Sequence, residues 1–243
     1  MRSVQIAFLA VMFGLWYGLT KTGAVSPLFL PSIGNVWSAF RGLVVTAPFW
    51  STVWVTLATL IRAYALAAGA GVLVGYLVTR SRFLTDVFEP FIANVFTIPI
   101  ILFFPLFLLF FGIGPASKIA YGALYGFFPV ALNTIAGFAG VDKRYLSAAR
   151  SMGLSAFGLF RHVLFPSAFP VILTGLRIAF FVCFASVLGG EELSASAGIG
   201  KKIAELAELM DPARMYAWIV FVVVVSVALN LLVSNLEGRI REH

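Results

Sequence analysis

The chain has 243 residues, 61% of them hydrophobic and 11% charged, with a formal net charge of +7 and a mean hydropathy of +1.00. Soluble domains carry about 25% charged residues, so the charges here are too few to cover a water-facing globule, and lipid must be the main solvent. No basic stripe interleaved with polar residues runs along the chain, which argues against nucleic acid as a partner. The excess of Lys and Arg fits cytoplasmic loops of a membrane protein instead.

A helix needs about 20 apolar residues to cross the hydrocarbon core. In chain order, the runs that lack Asp, Glu, Lys and Arg predict six spans in an all-α integral membrane protein. The first covers 3–20. Arg2 precedes it as it would a secretory signal, but the run is long for a signal and no A-x-A site follows. Residues 1–25 therefore read as a span set at the edge of a core over 50–243. Residues 26–49 place Pro27 and Pro31 before a short amphipathic stretch, the pattern of an external helix lying in the membrane interface.

The second span covers 63–79 and extends upstream through Arg62 to position 50. Arg62 can snorkel to the interface. The third, 90–117, contains Pro99 and Pro105. Proline frees backbone carbonyls and kinks a helix, and such breaks persist in membranes where they line a cavity or are packed by neighbours. Two readings stay open: Pro99, Phe103 and Phe104 border a translocation path, or the prolines make a plain packing kink. The fourth span, 119–141, holds Asn133 and Thr134, and the fifth, 169–190, is interrupted only by Arg177 and holds the lone Cys183 and Ser186. Asn133 and Ser186 are candidates for the path, with interhelical hydrogen bonding as the alternative. Gly71/Gly75 and Gly122/Gly126 repeat at the G-x-x-x-G spacing that lets helix backbones approach closely. The sixth span is 215–236.

With both termini in the cytoplasm, Arg2, Arg80, Arg82, Lys143, Arg144, Arg150, Arg161, Arg239 and Arg241 lie inside. Lys21, Arg41, Lys118, Lys201, Lys202 and Arg214 lie outside. The bias has the sense of the positive-inside rule.

One segment breaks the apolar pattern: "DKRYLSAARSMGLSAFGLFRHVLFPSAFP", 142–170, on the cytoplasmic side. Asp142 can cap a helix, Gly153 suits a left-handed C-terminal cap, and Ser155 can start a second helix that ends before Pro166. Two short helices around a sharp turn are too short to stand alone in water. Phe157, Phe160 and Leu164 give them an apolar side, which must meet the protein's own helices, the membrane surface or a partner.

Catalytic chemistry is not visible. Glu191 and Glu192 are paired carboxylates near the outer mouth and read as structural. His162 and His243 assemble no metal cluster or nucleophile–base pair. "FGIGP" and "AGIGK" are lone G-x-G pieces, and no G-x-x-x-x-G-K-[ST] loop is present. No enzyme activity and no cofactor is expected, and any use of ATP requires a separate subunit.

The stretch "SAARSMGLSAFGLFRHVLFP" resembles the signature loop of inner-membrane permeases of ABC importers. Ala148, Ala149, Gly153, Val163, Phe165 and Pro166 match its pattern, and Ser147 stands where a glutamate is usual. "LPSIGNVWSAF", "TLATLIRAYALAAGAGVLVG", "FFGIGPASKIAYGALYGFFPVALNTIAG", "LTGLRIAF" and "GEELSASAGIGKKI" resemble successive segments of the nitrate/sulfonate/taurine-type branch, in which an acid like Glu191 is common. The resemblance implies a type I (MetI-like) permease in a bacterial or archaeal cytoplasmic membrane. It implies a coupling helix in which Ser147, Ala148, Ala149, Gly153, Phe157, Val163 and Pro166 meet a cytoplasmic ABC ATPase. Two permease copies, two ATPases and an external solute-binding protein would complete the importer. Its cargo would be a sulfonate, nitrate, taurine or related anion, with a vitamin-like heterocycle or aromatic acid as the alternative. An ion-coupled secondary transporter would need midplane acids and inverted repeats, and neither is visible.

Overall fold

The structure is a computed structural model and describes residues 2–194 and 196–241. It is built from α-helices, and among the described residues there is no strand. In lipid each backbone polar group must be satisfied inside its own segment, which favours helices. They are α1 (Arg2–Lys21), α2 (Ile33–Val44), α3 (Ala47–Val78), α4 (Arg82–Phe96), α5 (Phe104–Phe111), α6 (Pro115–Ala139), α7 (Lys143–Ser151), α8 (Ala156–Leu159), α9 (Phe165–Ser194), α10 (Ile199–Glu208) and α11 (Pro212–Arg241).

Four helices among the described residues are long and apolar enough to cross a membrane: Ala47–Val78, Pro115–Ala139, Ala156–Ser194 and Pro212–Leu232. The helix α1, with 20 residues, is about 30 Å long at 1.5 Å per residue, but only Ala7–Lys21 stands out as an apolar helix, and it is shorter than those four. The kink expected in the span over 90–117 is a full break. Arg82–Phe96 and Ile100–Phe111 meet at 78°, so the pair makes at most one broken span and the total reaches five. Pro99 explains the break. It has no N–H to continue the α4 ladder, and Thr97 and Ile98 tighten to i−3 carbonyls at 3.1 and 3.2 Å. The chain restarts as a 3-10 turn over Ile100–Phe103, and Pro105 sits at the start of α5, where its missing donor costs nothing.

The helix after Gly153 also departs from expectation. It does not stop before Pro166. A π turn over Phe160–Leu164 joins α8 to α9, giving one continuous helix over Ala156–Ser194. Pro166 cannot donate to His162, four residues back, and its ring crowds that carbonyl. The wider i−5 bonding of the π turn relieves this: the Phe165 N–H reaches the Phe160 carbonyl.

The chain forms two compact units. One comprises Met1–Thr56 and Glu191–Val227, the other Leu57–Gly190 and Ala228–His243. In the first, the Trp16 indole donates to the Pro31 carbonyl (2.9 Å) and the Tyr216 hydroxyl to the Phe29 carbonyl (2.9 Å). Buried Phe49 stacks on Trp218 at 4.4 Å. Ser32 accepts from the Asn35 N–H and caps α2, which buries Val36 and leaves Trp37 exposed, as an interfacial helix does.

The second unit is organised around α6. Tyr121, Phe128, Ala131 and Ile135 of α6 pack with Val78, Ile92, Ile100 and Phe104. Both G-x-x-x-G pairs act as packing devices. Gly71 and Gly75 of α3 abut Val130 and Thr134, and Gly122 and Gly126 abut Val187 and Cys183 of α9. A Cβ on Gly175 would lie 2.5 Å from Asn133 Cβ and 2.8 Å from the Pro129 carbonyl, whereas one on Gly14 would meet nothing within 4 Å. Gly175→Ala should therefore cost about 1–3 kcal/mol through overpacking and lower the thermal unfolding temperature in detergent. Gly14→Ala should not lower it.

Candidate functional site

The elbow over 142–170 is assembled by local capping. Asp142 Oδ1 accepts from the Arg144 N–H at 2.8 Å, and its second oxygen pairs with the Arg144 guanidinium at 2.7 Å. These hydrogen bonds hold the exposed carboxyl below the ordinary aspartate value. A depressed folded value means the cap's contribution is present above the ordinary range and is lost only as pH falls through that lower value. α7 therefore keeps its cap through mild acid.

At the other end, Gly153 has φ 74°. Its N–H reaches the Arg150 carbonyl (2.9 Å), and the Leu154 N–H reaches back to Ala149 (3.2 Å). These are the 5→2 and 6→1 bonds of a Schellman cap, which needs a left-handed residue at this position. Ser155 then accepts from the Gly158 N–H (3.2 Å) and starts α8. The turn angle is thus set by three caps, at Asp142, Gly153 and Ser155.

The apolar side of the elbow divides. Phe160 turns inward against Tyr76 and Phe138, with ring centroids at 5.5 and 6.2 Å, and Leu164 is half-buried. Phe157 is 69% exposed and Met152 78%. Ala148, Ala149 and Val163 line an open groove of about 380 Å³ with Tyr145, Met152 and Leu154. Ser147 and Pro166 are exposed beside it. Sequence reasoning missed Tyr145 and Met152. Their i, i+7 spacing across the two alanines was the available signal.

The path candidates do not form one cluster. Phe104 packs on Tyr121 at 5.2 Å, and Ser186 neighbours the Tyr121 hydroxyl, so those two buried candidates share a neighbour. Pro99 and Phe103 are exposed. Asn133 donates to the Pro129 carbonyl of its own helix (2.8 Å). Thr134 is buried, and its Oγ1 has no hydrogen-bond partner among the described residues. Arg177 donates to Asn230 Oδ1 at 2.6 Å. His243 lies outside the described residues, and no cluster of potential metal ligands occurs among those described.

A second polar constellation lies in the first unit. Glu191, buried to 2% exposure, accepts from the Thr56 hydroxyl at 2.9 and 3.0 Å and from the Gly200 N–H at 3.1 Å. The Ile199 N–H donates to Thr56 Oγ1 at 2.8 Å. The carboxylate thus caps α10, where the helix dipole favours negative charge. Gly198 has φ 118°, and a side chain there would collide with the Glu191 carboxylate. This arrangement makes Glu191 an anchor. Thr56, 135 residues away in sequence, could not be matched to it from spacing.

Helices of membrane-crossing length, a proline-broken pair and an exposed capped elbow define a polytopic helical membrane protein. The comparisons agree. Residues 67–242 match the family described as binding-protein-dependent transport system inner membrane component. The taurine transport system permease protein of Escherichia coli (strain K12) is 30% identical over 98% of this chain and 88% of its own. A putative aliphatic sulfonates transport permease protein of Bacillus subtilis (strain 168) is 27% identical over 95% and 84%. Among solved structures, the inward-facing MetNI methionine ABC transporter aligns with a TM-score of 0.65 at 19% identity, covering 82% of this chain and 99% of that one. The chain belongs to the binding-protein-dependent transport system inner membrane component family, and it is an ABC importer permease with the type I (MetI-like) fold.

Thr56→Val should remove two of the bonds that pin α10. Hydrogen bonds to charged groups are worth about 1.5–3 kcal/mol, so amide exchange at Ile199 and Gly200 should accelerate about tenfold or more. Hydrogen-exchange mass spectrometry checks this, with the amides of α6 as the unchanged reference.

Proposed function

We propose that this permease moves a small sulfonate such as taurine across the inner membrane, driven by a separate ABC ATPase that docks on the 142–170 elbow. The observation that carries the coupling role is the elbow itself: a rigidly capped turn with Phe157, Met152 and Tyr145 held out of the core. Exposed apolar side chains around a groove are what a partner subunit buries. In this reading Ala148, Ala149 and Val163 allow close approach, Gly153 sets the angle, and Pro166 passes movement into α9. Ser147 supplies a hydroxyl where relatives carry an acid.

The chain would act as one permease domain over 1–243, paired with a second copy, with two ATPases beneath and a solute-binding protein outside. Both termini and the elbow would face the cytoplasm. The permease would do no covalent chemistry. ATP would stabilise one of two membrane conformations by differential affinity, and its hydrolysis would release it. Phe104 and Ser186, joined through Tyr121, are our candidates for the path wall, with Pro99, Phe103 and Asn133 as flanking positions. Support for the substrate class comes from the taurine and aliphatic sulfonate relatives. A second reading, a vitamin-like heterocycle, draws on a formylaminopyrimidine transport permease protein of Halalkalibacterium halodurans that is 32% identical over 67% of this chain and 65% of its own.

Reconstitution of the permease with its ATPase and binding protein in liposomes tests the proposal. ATP-dependent uptake of labelled taurine is expected to exceed that of formylaminopyrimidine, and the reverse order would select the second reading. Phe157→Asp and Gly153→Val should each lower uptake at least tenfold while leaving the permease inserted and monodisperse. Unchanged transport by both variants would remove the elbow from the coupling pathway.

A further inference from the structure

We propose that the first unit holds an anionic phospholipid, with an acyl chain in the groove between α1, α2 and α11 and the phosphate near Lys21 and Arg41. The groove has a volume of about 450 Å³ and apolar walls formed by Phe13 and Trp16 of α1, Ile33 and Trp37 of α2, and Phe221 and Val224 of α11. That is within the size range of specific ligand sites. Ile33 is also a wall of an adjoining pocket of about 490 Å³ lined by Tyr17, Thr20, Lys21, Ser32 and Gly34. An apolar slot thus opens beside a polar, basic chamber, and the two share a residue. A molecule with a hydrocarbon tail and a compact polar head fits both.

The sign of the head follows from charge. Lys21 lies over the Tyr17 ring at 5.4 Å and Arg41 over the Trp37 ring at 5.9 Å. Both cations are exposed, and among the described residues neither has a carboxylate within ion-pair distance. The first acidic residue of the chain is Asp86, so the whole segment supplying α1 and α2 has no negative charge. The unit's later acids are Glu191, Glu192, Glu205, Glu208 and Asp211, and none of them lines the groove or the chamber. Glu191 is taken up by Thr56 and Gly200, Glu205 by Lys202, and Asp211 by Arg214.

Depth is consistent with a lipid. Exposed Trp37, Trp50 and Trp54 form the kind of aromatic belt that sits at headgroup level. α2 is an amphipathic helix of the interfacial type, while Val220 and Val224, one turn apart on α11, continue the slot as apolar wall. A cation beside an anionic headgroup changes lipid affinity about fivefold.

The test is lipid retention by native mass spectrometry, after detergent extraction from bilayers with equal amounts of phosphatidylglycerol and phosphatidylethanolamine. Wild type should retain phosphatidylglycerol preferentially. Lys21→Gln and Arg41→Gln should each reduce that retention about fivefold without altering phosphatidylethanolamine. Val224→Trp, which fills the slot, should release both. Because Lys21 and Arg41 are exposed, their variants should melt as wild type does, and they carry the test if Val224→Trp fails to fold. Soluble glycerol phosphate should not displace the bound lipid; displacement would show a free-anion site instead. Equal retention of the two lipids by wild type, or unchanged phosphatidylglycerol in both charge variants, would overturn the proposal. So would loss of a dimer with unchanged lipid in Val224→Trp, which would make the groove a protein interface.

Discussion

A backbone in hydrocarbon has no water to bond to, and most features of this protein follow from that constraint. Each span must close its own hydrogen bonds, so the chain is helical, and within the broken span the irregular backbone falls where proline forces it. At Pro99 the ladder is interrupted, the preceding amides retreat to i−3 carbonyls, and the direction changes by 78°. At Pro166 the same chemical deficit has another outcome. A π turn absorbs it, and the elbow becomes continuous with a membrane helix. That continuity makes exposed Phe157 part of the same helix as α9.

Lipid tails are as apolar as leucine, so burial of hydrocarbon does little to bring helices together. Close contact and buried polar bonds do that work. α6 receives α3 and α9 at glycines, where Cβ atoms would overlap Val130, Thr134 or Asn133. In the first unit, the Thr56 hydroxyl and the Gly200 amide donate to Glu191 while the Ile199 amide donates to Thr56, and an acid that would be costly alone becomes the cap of a helix. The Arg177–Asn230 bond plays a comparable part in the second unit. The elbow over 142–170 is built differently. It depends on three local caps and leaves its large apolar residues uncovered, which is the condition for binding something else.

Much of the elbow was legible because capping is local. Asp142, Gly153 and Ser155 act within four residues of themselves, so the chain order displays their partners. The two glycine pairs were legible for the same reason, since their spacing alone marks a close-packed face. The path residues were not. Whether Phe104 or Ser186 faces a cavity or a neighbour depends on helix rotation, which uniform apolar runs do not encode. Asn133 shows the limit, because its amide turns to its own helix at Pro129.

Composition and short-range spacing determined a helical membrane protein, the turn in the elbow and the absence of a nucleotide loop, because each depends on residue type or near neighbours. Only the tertiary structure decided that the proline kink is a break of 78°, that α8 passes through Pro166 into α9, and that Phe160 faces in while Phe157 faces out. It alone joined Thr56 to Glu191, and opened the groove beside Trp16 and Trp37. Those outcomes depend on contacts between residues far apart in the chain, and in a chain so uniformly apolar, hydrophobicity carries no record of which helix face meets which.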